Sequence, residues 1–154
     1  MIRASILRWA RARQPDFVIG GPERPYLRRH WLLPRNKLFN VYVHEFLRSD
    51  DDRALHDHPW LFNASWLLDG QYVEHTIAAG GLNVRTLRVA GAFKVRWGGA
   101  PHRVELTDGA CWTCFITGPR IREWGFHCPE HGWVHWKRFT AADDAGAVGK
   151  GCDQ

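Results

Sequence analysis

The residues most able to do chemistry lie in Arg53-Ala-Leu-His-Asp-His-Pro-Trp-Leu61, where His56 and His58 alternate with Asp57. On an extended strand, side chains two residues apart point to the same face, so both imidazoles can aim at one point. Later in the chain His102 follows Gly98-Gly99-Ala100-Pro101, a loop whose glycines permit tight backbone bends. Three neutral imidazoles converging from two strands would bind a divalent transition metal such as Fe, Mn, Ni, Cu or Zn. Coordination positions would remain open for water or substrate. The His-X-His pair taken alone is a weak signal.

These residues need strands to position them, and the chain supplies the rhythm. From Tyr26 onward, segments rich in aromatic and β-branched residues are divided by short Gly, Asp and Pro breaks, as in an all-β sandwich or barrel. The pattern predicts strands at Tyr26–Leu33, Leu38–Leu47, Trp60–Leu68, Gln71–Ile77, Thr86–Ala90, Ala92–Trp97, His102–Leu106, Cys111–Thr117 and Trp133–Phe139. Asp69-Gly70 reads as a hairpin turn, and Ser49-Asp50-Asp51-Asp52 as a polar loop. Trp60, Phe62, Ala64, Trp66 and Leu68 share one parity and are expected to face the interior, unless Pro59 shifts their register against the histidines.

Ahead of the strands, Ile2, Ile6, Trp9 and Ala10 recur at helical spacing with arginines opposite, until Pro15 stops the pattern. This predicts a short basic helix and linker over residues 1–25, a barrel over 26–140 and a disordered Ala-, Gly- and Asp-rich tail over 141–154.

At 154 residues the chain suits one domain, and its nine Trp argue for a packed core. No apolar run is long enough for a transmembrane helix. Four Cys, unevenly placed, do not resemble a secreted disulfide framework, so a cytoplasmic protein is expected. The net charge of +5 is concentrated in residues 1–40, where nine basic side chains meet only Asp16 and Glu23. Such an arm can attract nucleic acid or an acidic partner. An arginine face lying on the domain is the preferred reading, since no nucleic-acid-binding module is recognisable.

The two histidine regions resemble the paired motifs of the cupin superfamily, which are small β-barrels of jelly-roll type. The first cupin motif carries a His-X-His pair, then a glutamate, then a glycine; this chain supplies His56, His58 and Gly70, with Asn63 at the glutamate position. In the second motif Gly91, Gly99 and His102 fall in place, with Trp97 where proline is usual and Leu106 where asparagine is usual. The resemblance covers roughly residues 38–120. It implies a cupin barrel with His56, His58 and His102 as metal ligands and Trp60, Phe62, Asn63 and Trp66 around the pocket. Without the glutamate the site is similar to the three-histidine centres of thiol dioxygenases, so iron is expected ahead of Zn, Mn or Ni. Asn63 is a candidate weak ligand, and Glu74 or Glu105 a candidate replacement for the missing carboxylate. Cupins often dimerise, and the resemblance leaves a homodimer open. The wording of the chain also resembles cupin-like proteins of bacteria and their phages, which implies a cytoplasmic protein and brings no substrate with it.

The leading expectation is a metal-dependent, dioxygenase-like enzyme acting on a small molecule, with Tyr72 or His75 handling a proton. An exposed strand histidine is the simpler account of His75. Asp57, pointing away from the ligands, is expected to pair with a neighbouring strand or an arginine. The alternatives are a non-catalytic cupin that binds a small ligand or a partner, and a metal-free sugar isomerase or epimerase using His75 as base and Tyr72 as acid. His127, Cys128, His131 and His135 have residue types that suit zinc. They contain one cysteine, however, and the Cys111 and Cys114 sulfurs should face opposite sides of a strand, so packing over the barrel mouth is preferred.

Overall fold

The computed structural model describes residues 1–50, 54–144 and 146–153, so part of the predicted polar loop, the start of the histidine stretch at Arg53 and two tail residues lie outside the described residues. The chain opens with helix α1 (Ile2–Arg11), followed by strands β1 (Phe17–Ile19), β2 (Leu27–Trp31), β3 (Asn40–Phe46), β4 (Leu55–His56), β5 (Phe62–Asp69) and β6 (Gln71–Ile77). Then come β7 (Asn83–Val89), β8 (Phe93–Trp97), β9 (His102–Leu106), β10 (Cys111–Thr117), β11 (Gly125–Cys128), β12 (Gly132–His135) and a short helix, α2 (Trp136–Phe139). Two six-stranded sheets form, in the orders β1-β2-β3-β10-β5-β8 and β12-β11-β4-β9-β6-β7, and every pairing is antiparallel. The all-β barrel with a short amino-terminal helix is therefore what the chain builds. Among the described residues, no helix is long and apolar enough to cross a membrane.

Both faces of the first sheet are used. On its outer face, Leu7 and Ala10 of α1 pack with Val43, Leu68, Trp112 and Cys114, and Trp66 borders the cluster. Inside, Leu67, Tyr72, Val104 and Cys111 form a second cluster. Cys111 and Cys114 thus do face opposite sides of β10. The arginines of the amino-terminal arm lie on the domain: Arg11 reaches Asp69 at 2.5 Å and covers the Trp112 ring, Arg13 pairs with Asp16, and Arg28 pairs with Glu45.

Coverage of both faces overturns the expected parity of β5. Asn63, Ser65 and Leu67 point into the barrel beside β10 and β8, whereas Ala64, Trp66 and Leu68 point outward. Alternation identifies the buried face only when the other face is wet, and here α1 keeps it dry. Asp69-Gly70 is not a hairpin either. Strand β5 belongs to one sheet and β6 to the other, so the chain crosses between sheets at this point. Gly70 has φ of +78°, and a Cβ there would stand 2.9 Å from the Ala110 carbonyl oxygen, so the corner excludes a side chain.

The carboxy-terminal half departs further from expectation. The segment 133–139 does not stay extended; it divides into β12 and α2. Beyond Thr140, the tail expected to be disordered folds back: Thr140 bridges Val148, and the N–H groups of Gly149 and Gly151 donate to the Phe139 carbonyl. Although the four Cys do not resemble a secreted disulfide framework, Cys128 and Cys152 form a disulfide across 24 residues. Closing a loop of that size contributes about 3 kcal/mol in the chain-entropy account. Cys152→Ser should accordingly lose about 2–4 kcal/mol in urea unfolding and expose the tail to limited proteolysis; an unchanged midpoint would mean that packing alone holds the tail.

Candidate metal centre

Strand β4 is only two residues long, yet it lies between β9 and β11 and sets His56 directly opposite His102. His58 follows on the link after β4, where its N–H donates to the Gly98 carbonyl at 2.8 Å. Gly98 is required there: a Cβ would fall 1.7 Å from the Trp60 carbonyl oxygen. The glycine loop thus brings the His58 link against the start of β9. Ligand nitrogens of His56, His58 and His102 all lie within 4.8 Å of one another. The Nε2 atoms of His58 and His102 are 2.9 Å apart.

The surroundings of each imidazole follow from its strand. His56 turns Nδ1 toward Asp50, 3.7 Å away. His58 stacks on Trp60 at 5.3 Å, with Phe115 behind both rings. His102 turns Nδ1 toward Glu74 at 3.6 Å, a separation too long for a hydrogen bond. Burial is the largest cause holding all three below the ordinary imidazole value of 6.5. Arg96 and the neighbouring imidazoles push His58 and His102 down further, while Asp50 partly opposes the shift at His56. Neutral imidazoles are the form that binds metal.

A pH dependence follows. Buried His44 is also held well below 6.5, by burial first and then by Arg29. Above about pH 6.5, folded and unfolded chains both hold these rings neutral, and stability is full. As pH falls below that value, the unfolded chain takes up protons that the folded chain refuses, and stability drops until the depressed folded values are reached. Each such ring costs about 1.4 kcal/mol per pH unit in that window. Urea unfolding of the metal-free protein at pH 7 and pH 5.5 should show the loss; equal stabilities would contradict neutral burial.

Asp57 lies between the first two histidines, on the opposite side of the link, and pairs with an arginine as its parity requires. It is 1 % exposed and accepts from Arg122, the Gly125 N–H, His127 and the Trp133 indole. Burial works to raise its pKa, but these bonds and the Arg122 charge outweigh it and leave the carboxyl below its usual range. Asp57 thus ties the His56–His58 link to β11 and β12. His127 is taken up in this network, Cys128 by its disulfide and His135 by Glu123, so among the described residues these groups build no second cluster of metal ligands.

Of the proposed pocket residues, Trp60 stands against His58, and Asn63, fully buried, faces the interior. Phe62 and Trp66 belong to the outer parity: Phe62 borders a surface groove with Val95 and Trp97, and Trp66 packs beside α1. Tyr72 and His75 lie on opposite faces of β6. Tyr72 is inside, where burial raises its phenol pKa against the pull of Arg96. His75 is on the outer face, at 2.5 Å from Glu105 and 2.9 Å from Arg103. Neither Glu105 nor His75 reaches the centre, because β6 and β9 pair in a register that turns both outward. The expectation that His75 handles a proton at the centre is corrected accordingly.

Glu74 was a loose candidate, and its role appears only in three dimensions. It is fully buried and accepts from Arg88, Lys94 and Arg96 while facing His102. On the far side, a cavity of about 510 Å³ reaches His56 and is walled by Tyr26, Trp124, Phe126, Phe139 and the tail residues Asp144 and Val148. The donor set fits a transition metal: three imidazoles held below their ordinary pKa converge, two with a carboxylate near the remote ring nitrogen.

The sequence matches no model of a known protein family, and a search of curated proteins finds no match. Solved structures do match. A conserved protein with a double-stranded β-helix domain from Klebsiella pneumoniae aligns at TM-score 0.52 and 16 % identity, over 69 % of this chain and 88 % of that one. A putative mannose-6-phosphate isomerase from Ralstonia eutropha aligns at TM-score 0.52 and 16 % identity, over 68 % and 92 %. HppE, in a complex with Fe(II) and substrate, aligns at TM-score 0.53 and 15 % identity, over 69 % of this chain and 57 % of its own length. The present chain therefore spans little more than half of HppE. At these identities the likeness establishes the fold, which is the double-stranded β-helix of the cupins.

Proposed function

We propose that this cupin is a metal-dependent enzyme in which His56, His58 and His102 hold one divalent transition metal, iron in the first place, and that it oxidises a small molecule with oxygen. The observation that carries the reading is the convergence of three imidazoles, His102 buried and His56 and His58 half-buried, with no carboxylate among the ligands. HppE, of the same fold, binds Fe(II), which supports iron as the first metal to test. When bound, such a metal supplies Lewis acidity and a route for electrons between substrate and oxygen.

The chain's own residues do the rest. Asp50 and Glu74 set a negative charge 3.7 and 3.6 Å from Nδ1 of His56 and His102, and Asp57 holds the link that carries His58. Trp60 and Phe115 pack their rings against His58 and give that side of the centre an apolar wall. Tyr72, kept neutral, faces the interior beside Arg96 and can hold a proton there. A metal-free isomerase using Tyr72 and His75 as an acid–base pair is disfavoured, since the two rings lie on opposite faces of β6.

Elemental analysis of protein purified without added metal tests the first half, with about one equivalent per chain expected. Oxygen uptake after anaerobic loading with ferrous iron, screened against thiols and small acids, tests the second. Protein that stays metal-free even when offered iron, zinc, manganese and nickel would end the proposal.

A further inference from the structure

Opposite the histidines, the inner face of the first sheet carries a strip of buried donors that the metal centre does not use. Thr117 of β10 stands opposite Asn63 of β5, and Asn63 stands opposite Arg96 of β8. Thr117 and Asn63 are fully buried, and Arg96 is 6 % exposed. Each keeps a polar atom without a hydrogen-bond partner among the described residues: Thr117 Oγ1, Asn63 Nδ2 and Arg96 Nε. All three atoms can donate. A buried donor left unpaired is costly, and three on neighbouring positions of one sheet face point to an acceptor that is not part of the chain.

The charge has the matching sign. Arg88, Lys94 and Arg96 share the single carboxylate of Glu74, which leaves an excess of positive charge around it, with Arg96 buried and Arg88 and Lys94 partly in solvent. Glu74 also faces His102, so the carboxylate that pairs with Arg96 stands beside the histidine cluster. The surface groove bordered by Phe62, Val95 and Trp97, about 550 Å³ in volume, reaches Arg96, Lys94 and Thr76, and Thr76 is the residue paired with His102. A small molecule entering between β8 and β6 therefore meets Arg96 first, with Asn63 and then Thr117 at the neighbouring positions across the sheet.

We propose that Arg96, Asn63 and Thr117 form an anchoring subsite for the oxyanion of a small-molecule acid, a carboxylate or a phosphate-type group. Arg96 Nε, Asn63 Nδ2 and Thr117 Oγ1 donate to its oxygens, and the remainder of the molecule lies toward the histidines. This names the substrate class of the proposed enzyme and rests on that reading only for what happens at the histidine end.

Calorimetric titration at constant ionic strength tests it, with acetate and succinate in one arm, inorganic phosphate and methylphosphonate in the other, and chloride as control. Wild-type protein treated with a chelator should bind at least one of the two oxyanion classes more tightly than chloride, and the stronger arm identifies the head group. Thr117→Val keeps the shape and removes the orphan hydroxyl. It should weaken binding about tenfold, as loss of a hydrogen bond to a charged group does, while the unliganded protein melts no lower than wild type. Oxyanion binding no tighter than chloride would overturn the subsite, as would unchanged affinity in Thr117→Val. Binding that vanishes on chelation and returns with metal would overturn it too, while leaving the metal proposal standing. Failure to retain metal leaves the chelated-protein titration intact, so the two readings fail separately.

Discussion

His58→Ala should reduce bound metal from about one equivalent per chain to near zero. Removing a residue that merely orients a ligand typically lowers metal affinity about 10–100-fold, and removing one ligand of three costs more than that. His58 is the residue to test because its place depends least on the ladder. It sits on the link after β4 with its N–H bonded to Gly98, and its ring stacks on Trp60, so truncation leaves the β4–β9 pairing of His56 and His102 in place. The metal-free variant should keep its far-ultraviolet spectrum and unfold cooperatively, while the stabilisation conferred by added iron disappears. His75→Ala provides the contrast. Its ring lies on the outer face with Glu105, so metal content should match wild type. Equal metal in His58→Ala and wild type would remove the histidine cluster from consideration.

The second large effect is expected at Glu74. Replacement by Gln keeps the volume and removes the one negative charge that Arg88, Lys94 and Arg96 share. Arg96 dominates the outcome, because its side chain is 4 % exposed, whereas Arg88 and Lys94 keep 25 % and 30 % of theirs in solvent. Breaking a buried pair by removing one partner costs about 3–5 kcal/mol, since the other charge remains without compensation. Glu74→Gln should lose that much in urea unfolding, and combining it with Arg96→Met should recover most of the loss. A single variant within about 1 kcal/mol of wild type would show that the interior is wet enough to screen Arg96.

The two experiments address parts of the centre with different origins in the chain. The histidine pair, the glycine loop before His102 and the strands β6, β9 and β10 can be read from local pattern, because each depends on residues a few positions apart. Two-residue spacing sets the direction of His56, and the loop at Gly98 and Gly99 marks where the chain bends back. The tyrosine and histidine on β6 were separable in principle by parity alone, since an odd spacing puts Tyr72 and His75 on opposite faces of any strand. What parity could not say is which of them is inside.

Sequence alone therefore determined the all-β class, the amino-terminal helix and the three histidines, each a short-range property of residue type and spacing. Tertiary structure decided which face of β5 lines the barrel, because α1 dries the outer face and leaves alternation without contrast. It decided that Asp69-Gly70 changes sheets, that Glu74 gathers three cations from two strands, and that Cys152 closes on Cys128. These are contacts between residues far apart in the chain, and their energies exist only once the two sheets have closed on each other.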